Sequence, residues 1–304
     1  FFLFSLFNMV PKLECIVKIV AIVQARMGST RLPDKVMKMI NGVPMIELLL
    51  ARLSQSKELD QIVVATSMNA NNEPLVEHVQ SLGYACEQGS ENDVLERYVT
   101  AAKIHQADVV VRITGDCPLV DPKLVDECIR RFHKERVDYF SNISPHSYPD
   151  GLDIEVVTLS VLKKVMRESD KAFDHEHVTP YILESGRFNI SSMQNSENLS
   201  CLRWTVDERT DLEVIVSIFK HFSPDIHFTW QQVLKLQRAQ PYLFSANQQI
   251  KRNEGAIMGT GQKLWKRAKK VIPGGNMLLS KRAEMFLPDQ WPAYFSKAKG
   301  CKVW

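Results

Sequence analysis

No two of the six cysteines (Cys15, Cys86, Cys117, Cys128, Cys201, Cys301) form a C-x-x-C pair, and none show metal-ligand spacing. That scatter excludes a cysteine metal site and reads as reduced thiols in a cytoplasmic protein. Internal repeats and low-complexity tracts are absent as well, which excludes a repeat array. The apolar opening, Phe1 to Phe7, has no basic flank and no small-residue cleavage site, so it does not read as a secretory signal. It is too short to cross a bilayer, and stable membrane insertion is not expected. Met9 reads as the natural start, with the first eight residues an artefact of gene calling. The alternative for this stretch is a short membrane-surface anchor.

What is present is an ordinary globular composition, 45% hydrophobic and 24% charged over 304 residues. That length holds one large domain plus a fragment, or two modest domains. The net charge of +3 conceals an asymmetry: residues 261–304 carry ten Lys and Arg against two Asp and Glu, and the remainder carries 28 against 33. The shift marks a boundary near residue 255. The basic cluster Lys266–Lys270 has no interleaved aromatics, so it reads as the solvated face of a helix and nucleic acid is not an expected partner.

Apolar runs at Ile16–Val23, Ile62–Ala65 and Val109–Ile113 read as buried strands, with a weaker one near Tyr84–Cys86. Amphipathic stretches lie between and after them, at Met45–Leu53, Glu73–Leu82, Val94–His105 and Pro122–His133. Asp121 followed by Pro122 is a helix start, the Asp as cap and the Pro at the first position. The alternation predicts an α/β fold: a mostly parallel, twisted sheet with helices on both faces. From 140 to 240, Asp153–Val157, Phe188–Met193 and Leu202–Val206 read as further strands with helices after each.

The first strand runs into Val23-Gln24-Ala25-Arg26-Met27-Gly28-Ser29-Thr30-Arg31-Leu32-Pro33-Asp34-Lys35. A loop at the carboxyl end of a first strand is where open α/β sheets hold ligands. Gly28 lets backbone approach a ligand, and amides near Ser29 and Thr30 suit phosphate oxygens. Arg26, Arg31 and Lys35 bring charge to match a triphosphate.

The order of residues in this loop resembles the opening signature of the spore-coat polysaccharide type of cytidylyltransferase, a relative of CMP-KDO synthetase. The resemblance continues through Ile62–Ser67, Gly89–Tyr98 and Arg112–Asp121, then Tyr148–Asp153, Glu176–Tyr181, Leu202–Glu208 and Arg252–Gly255. It implies a three-layer nucleotidyltransferase fold over residues 16–255, with residues 1–15 as an extension. It also implies transfer of CMP from CTP to an acidic or amino sugar, with release of pyrophosphate. By the same resemblance Arg26 and Lys35 are catalytic, and Ala25, Gly28, Ser29, Thr30, Arg31, Thr66, Asp93 and Arg97 surround the nucleotide. Asp116 and Asp207 match the carboxylates that hold Mg2+, an ion that suits oxygen ligands and substrate phosphates. Asp150, Asp153, Glu155, Glu176 and His177 fall on the acceptor side.

Other readings of these residues stay open. Asp207 before Glu208-Arg209 also fits a helix cap, and Asp93 and Arg97 fit an i,i+4 ion pair. Asp153 and Glu155 fit the wet face of an edge strand as well as a sugar site. His175 and His177, two apart, do not share a helix face, so a transition-metal site is not expected there. Members of the family usually carry Gly before the loop lysine, where this chain has Asp34, and a carboxylate there should weaken anion binding. Rival functions are transfer of another nucleotide or to another acceptor, and a non-catalytic module. The oligomeric state stays open, a homodimer being one outcome.

Residues 256–304 read as a linker and a C-terminal helical or irregular fragment. Gln262–Gly275 and Tyr294–Trp304 resemble the start of class III aminotransferases, the glutamate-1-semialdehyde aminomutase type. The resemblance implies the cut end of a longer fusion, with pyridoxal phosphate (PLP) bound only in a downstream part.

Overall fold

The first strand, β1 (Ile19–Gln24), is apolar at every position but its last because helices cover both of its faces. It is central in a computed structural model that describes residues 17–250 and 252, plus the backbone of Ala298–Lys299 and Lys302–Val303. Two short strands follow it, β2 (Met39–Ile40) and β3 (Val43–Pro44), paired as a small antiparallel ribbon. Then come β4 (Gln61–Ser67), β5 (Ala85–Gly89), β6 (Val109–Thr114), β7 (Tyr139–Ser141), β8 (Glu155–Thr158) and β9 (Ile190–Ser192). The helices are α1 (Met45–Leu53), α2 (Glu73–Ser81), α3 (Val94–Ile104), α4 (Pro122–Glu135) and α5 (Leu159–Glu168). They continue with α6 (Ala172–His177), α7 (Pro180–Glu184), α8 (Arg209–Phe222) and α9 (Trp230–Ala239).

The main sheet has the order β5-β4-β1-β6-β8-β7-β9. β5, β4, β1 and β6 are mutually parallel because a helix crosses over between successive strands. β8 runs antiparallel to β6 and β7. No helix lies between β7 and β8, so the chain simply turns back and inserts β8 beside β6. The sheet is therefore mostly parallel, with one reversed strand inside it.

Period-two alternation along β1 divides the core. Ile19, Ala21 and Val23 join the apolar layer that includes Leu49 of α1, Val79 of α2, Ile129 of α4, Ile218 of α8 and Val233 of α9. Val20 and Ile22 face the opposite layer, with Leu95 and Tyr98 of α3, Leu162 of α5 and Ile182 of α7. Asp121 caps α4, accepting from the amides of Lys123 and Leu124, and its second oxygen takes the Trp230 amide at 2.8 Å.

Two expected elements differ. Leu202–Val206 is not a strand; it makes one bridge, Arg203 to Asp150, and is otherwise extended. Its amides go instead to loops at the carboxyl edge of the sheet: Trp204 N to Asp150 O at 2.7 Å and Val206 N to Asp116 O at 2.8 Å. No helix follows β9 directly; the next is α8. Gly151 has φ of +110°, and a Cβ there would stand 2.6 Å from the Trp204 carbonyl carbon, so this crossing requires glycine.

The chain divides into two units, Phe1–Gln248 and Gln249–Trp304. In the second, β10 (Ala298–Lys299) pairs antiparallel with β11 (Lys302–Val303). The extension 1–15, the basic helix expected after residue 261 and the rest of the aminotransferase-like segment lie outside the described residues. Among the described residues, no helix is long and apolar enough to cross a membrane.

Candidate active site

Beyond β1, the Ala25 amide still pairs with Ala65 O at 3.1 Å, and then the loop leaves the sheet. Its anchor is Asn72, a buried residue that sequence reasoning missed. Asn72 Oδ1 accepts from the Met27 amide at 2.8 Å, while Nδ2 donates to Ser67 O and Oγ at 3.1 and 2.8 Å. Amides of Ser29 and Asp34 both donate to Met27 O, closing the loop on itself. Arg26, Gly28, Thr30 and Arg31 are exposed and Ser29 half-buried. A Cβ at Gly28 would approach only Asn71 Nδ2, at 3.8 Å, so no contact within the protein requires the glycine.

Asp34 adopts a left-handed backbone, φ 57° and ψ 27°. That conformation explains why glycine is usual here: an L side chain is strained in it, and Asp is among the few that tolerate it. Asp34 itself is exposed.

Lys35 turns inward. Its Nζ lies 2.9 Å from Asp116 Oδ2, 2.9 Å from Asp207 Oδ1 and 3.0 Å from Val206 O. Arg31 joins the same Asp207 oxygen at 3.0 Å. Burial works against the Lys35 charge, but the attraction and hydrogen bonds of both carboxylates outweigh it and hold its pKa above the ordinary value. Burial likewise opposes the Asp116 charge, and the Lys35 ammonium with donors on Thr114 and Cys117 holds that carboxyl well below the usual range. Asp116 is brought beside the loop by Gly115, whose amide donates to Gln24 O at 2.8 Å. A Cβ on Gly115 would stand 2.9 Å from both Ala25 Cβ and Gln24 O.

Asp207 does not cap α8. Glu208 is the cap, in a capping box with Asp211. Arg203, which sequence reasoning passed over inside its motif, fixes Asp207 in place. Its NH2 reaches Asp207 Oδ2 at 3.2 Å, and NH1 reaches Asp150 Oδ2 at 3.0 Å. A two-pronged pair with Asp211, at 2.8 and 2.9 Å, anchors the guanidinium at the start of α8. The motif spacing, four residues from Arg203 to Asp207 and four more to Asp211, was the available signal.

On the other side of the loop, Asp93 caps α3 by accepting from the Glu96 amide at 2.8 Å. Its second oxygen pairs with His175 Nδ1 at 2.7 Å rather than with Arg97. Arg97 is buried and donates to the carbonyls of Ser90 and Glu91, while its Nε and NH2 find no partner. Burial pushes its pKa down, and the like charge of nearby Arg26 adds to that. Thr66 is fully buried at the end of β4 with its hydroxyl unpaired.

The residues expected on the acceptor side separate. Asp150 is nearly buried on Arg203, and it and Asp153 both add to the upward push that burial gives the Cys117 thiol, next to Asp116. Glu155 is different. It sits in β8, an interior strand and not a wet edge, with one oxygen taken by Tyr139 at 2.7 Å and the other by Arg112. That carboxylate is committed to the sheet. Glu176 is exposed on α6, and His177 packs its ring on Phe173 at 4.4 Å between centroids. His175, not His177, ties α6 to the loop before α3.

Among the described residues, no group of three or more His, Cys, Asp and Glu is arranged to hold a metal ion. Asp116 and Asp207 converge on the ammonium between them.

A basic loop at the carboxyl edge of a parallel sheet, facing a pair of acidic side chains, defines a nucleotide-handling α/β protein. The cytidylyltransferase family model matches residues 20–193, and the chain belongs to that family. The chain is 32% identical over 210 residues to the spore coat polysaccharide biosynthesis protein SpsF of Bacillus subtilis, covering 66% of this chain and 86% of that protein. It is 35% identical to an uncharacterized protein of Methanocaldococcus jannaschii, over 77% of this chain and 96% of that one. Among solved structures, a cytidylyltransferase from Leptospira borgpetersenii superposes with a TM-score of 0.74 at 31% identity, covering 78% of this chain and all of that one.

Proposed function

We propose that this cytidylyltransferase moves CMP from CTP to a sugar, releasing pyrophosphate, in the making of a surface polysaccharide. The observation that carries the reading is the convergence of Lys35, Asp116 and Asp207 beneath the basic loop, in a chain of this family. The similarity to SpsF supports a polysaccharide role.

In this reading Arg26 and Arg31 neutralise the triphosphate, and the amides of Gly28, Ser29 and Thr30 line its oxygens. Thr66 and Arg97, both buried beside the loop with unpaired donors, face the nucleotide. The sugar hydroxyl attacks the α-phosphorus in line and gives up its proton to solvent; the new P–O bond forms as the bond to the bridging oxygen breaks and pyrophosphate leaves. Lys35 stabilises the charge that develops on that leaving group. In this reading Asp150 and Asp153 accept from sugar hydroxyls. Asp116 and Asp207 fit a hard divalent ion such as Mg2+, since both are oxygen donors and both already converge on one cation. Bound there, Mg2+ supplies Lewis-acid polarisation of the α-phosphate.

The test is a pyrophosphate-release screen of the four nucleoside triphosphates against keto-acid and amino sugars. Release with CTP and one sugar class supports the proposal; release with another nucleotide, or with none, overturns it.

A further inference from the structure

An ammonium has three donors, and those of Lys35 are matched by Asp116 Oδ2, Asp207 Oδ1 and Val206 O. No donor is left for a phosphate oxygen. Lys35 therefore cannot serve a triphosphate and hold this position at once. A divalent cation shared by both carboxylates is restricted in the same way at Asp207. The other oxygen of Asp207 is held by Arg203 NH2, so the oxygen that Asp207 offers to a cation is the one Lys35 and Arg31 occupy. An ion held at about 2.1 Å by the oxygens that Lys35 touches would stand within roughly 4 Å of the ammonium, where like charges repel strongly.

We propose that Lys35 is the built-in counter-ion of the Asp116–Asp207 pair, and that a divalent cation binds there only by displacing it. Displacement and delivery are then one movement. The cation takes the carboxylates, and the freed ammonium turns to the phosphates of the bound nucleotide. Without nucleotide, the two carboxylates are held neutralised instead of repelling each other across the site. Metal and nucleotide should accordingly bind better together than apart, because the phosphates both complete the metal's ligand set and receive Lys35. The inference rests on the assignment of Asp116 and Asp207 as the metal ligands.

The experiment measures Mn2+ binding by electron paramagnetic resonance, without nucleotide, in the wild type, Lys35→Met and Asp116→Asn. In parallel, acylation of Lys35 in the wild type is followed by mass spectrometry with and without saturating Mn2+. The expected results are Mn2+ affinity raised tenfold or more in Lys35→Met, and severalfold faster acylation of Lys35 once Mn2+ is bound. Acylation that Mn2+ leaves unchanged overturns the displacement, even if loss of a nearby positive charge tightens Mn2+ binding. Unchanged or weaker binding in Lys35→Met, with binding still lost in Asp116→Asn, overturns the counter-ion role and leaves the ligand assignment standing. Full binding in Asp116→Asn overturns both.

Discussion

Arg203 grips Asp211 through two nitrogens, at 2.8 and 2.9 Å, and with the same guanidinium reaches Asp207 at 3.2 Å. One buried side chain thus links the first turn of α8 to the carboxylate that faces Lys35. The link continues to Asn247, whose Nδ2 donates to Arg203 O and to Asp211 Oδ1.

Arg203→Met should leave Asp211 and Asp150 without their cation. Removing one partner from a buried ion pair costs about 3–5 kcal/mol, so urea unfolding at pH 7 should show a loss of that order. Arg203→Lys keeps the charge and loses the fork, so it should recover part of the stability but not the position of Asp207. A high Mg2+ requirement in Arg203→Lys, with stability between that of Arg203→Met and the wild type, is the expected split.

Asp34→Gly tests two effects at one position. Relief of the left-handed φ of 57° should stabilise the fold by up to about 1 kcal/mol, read in thermal unfolding. Removal of an exposed carboxylate beside the phosphate loop should lower KM for CTP. A gain in stability with KM unchanged would assign the familial glycine to backbone conformation alone.

Asp116→Asn and Asp207→Asn should each weaken catalysis and raise the Mg2+ requirement. Acting on one ion, they should combine far less than additively in the double variant. Full additivity in kcat would separate their roles. Either variant also removes one of the two negative charges that hold Lys35, so its acylation rate should rise even without metal.

The His175 imidazole should give the fold a pH signature. Its pKa is raised, first by the hydrogen bond to Ser169 O at 2.8 Å and then by Asp93, with Asp170 adding attraction and burial opposing. A His with a raised folded pKa adds stability that is complete below its unfolded value, about 6.5, and is lost as pH climbs through the folded value. Melting temperature should therefore decline as pH rises above about 6.5, and His175→Gln should flatten that slope. An unchanged slope in His175→Gln would assign the decline to other groups.

Much of the first half of the fold was legible in sequence. Met45–Leu53 is helical over the expected span, and Asp121 with Pro122 opens α4 as its chemistry required. These features are local, since helical period, caps and apolar strands act within a few residues. The loop from Ala25 to Lys35 was legible for the same reason, being a compact cluster of charge after a buried strand. Leu202–Val206 failed as a strand because an apolar extended run carries no information about its partner. Gly151 and the loops at the sheet edge supplied that partner.

The sequence by itself determined which residues carry charge, which segments must be buried, and that β1 ends in a basic loop. Only the tertiary structure decided how those charges pair. Lys35 meets Asp116 from 81 positions away and Asp207 from 172 away, while His175 takes the carboxylate that Arg97, four residues from it, does not. Ion pairs of this kind are decided by which elements the sheet order brings to one edge, and by the cost of leaving a charge buried without its partner.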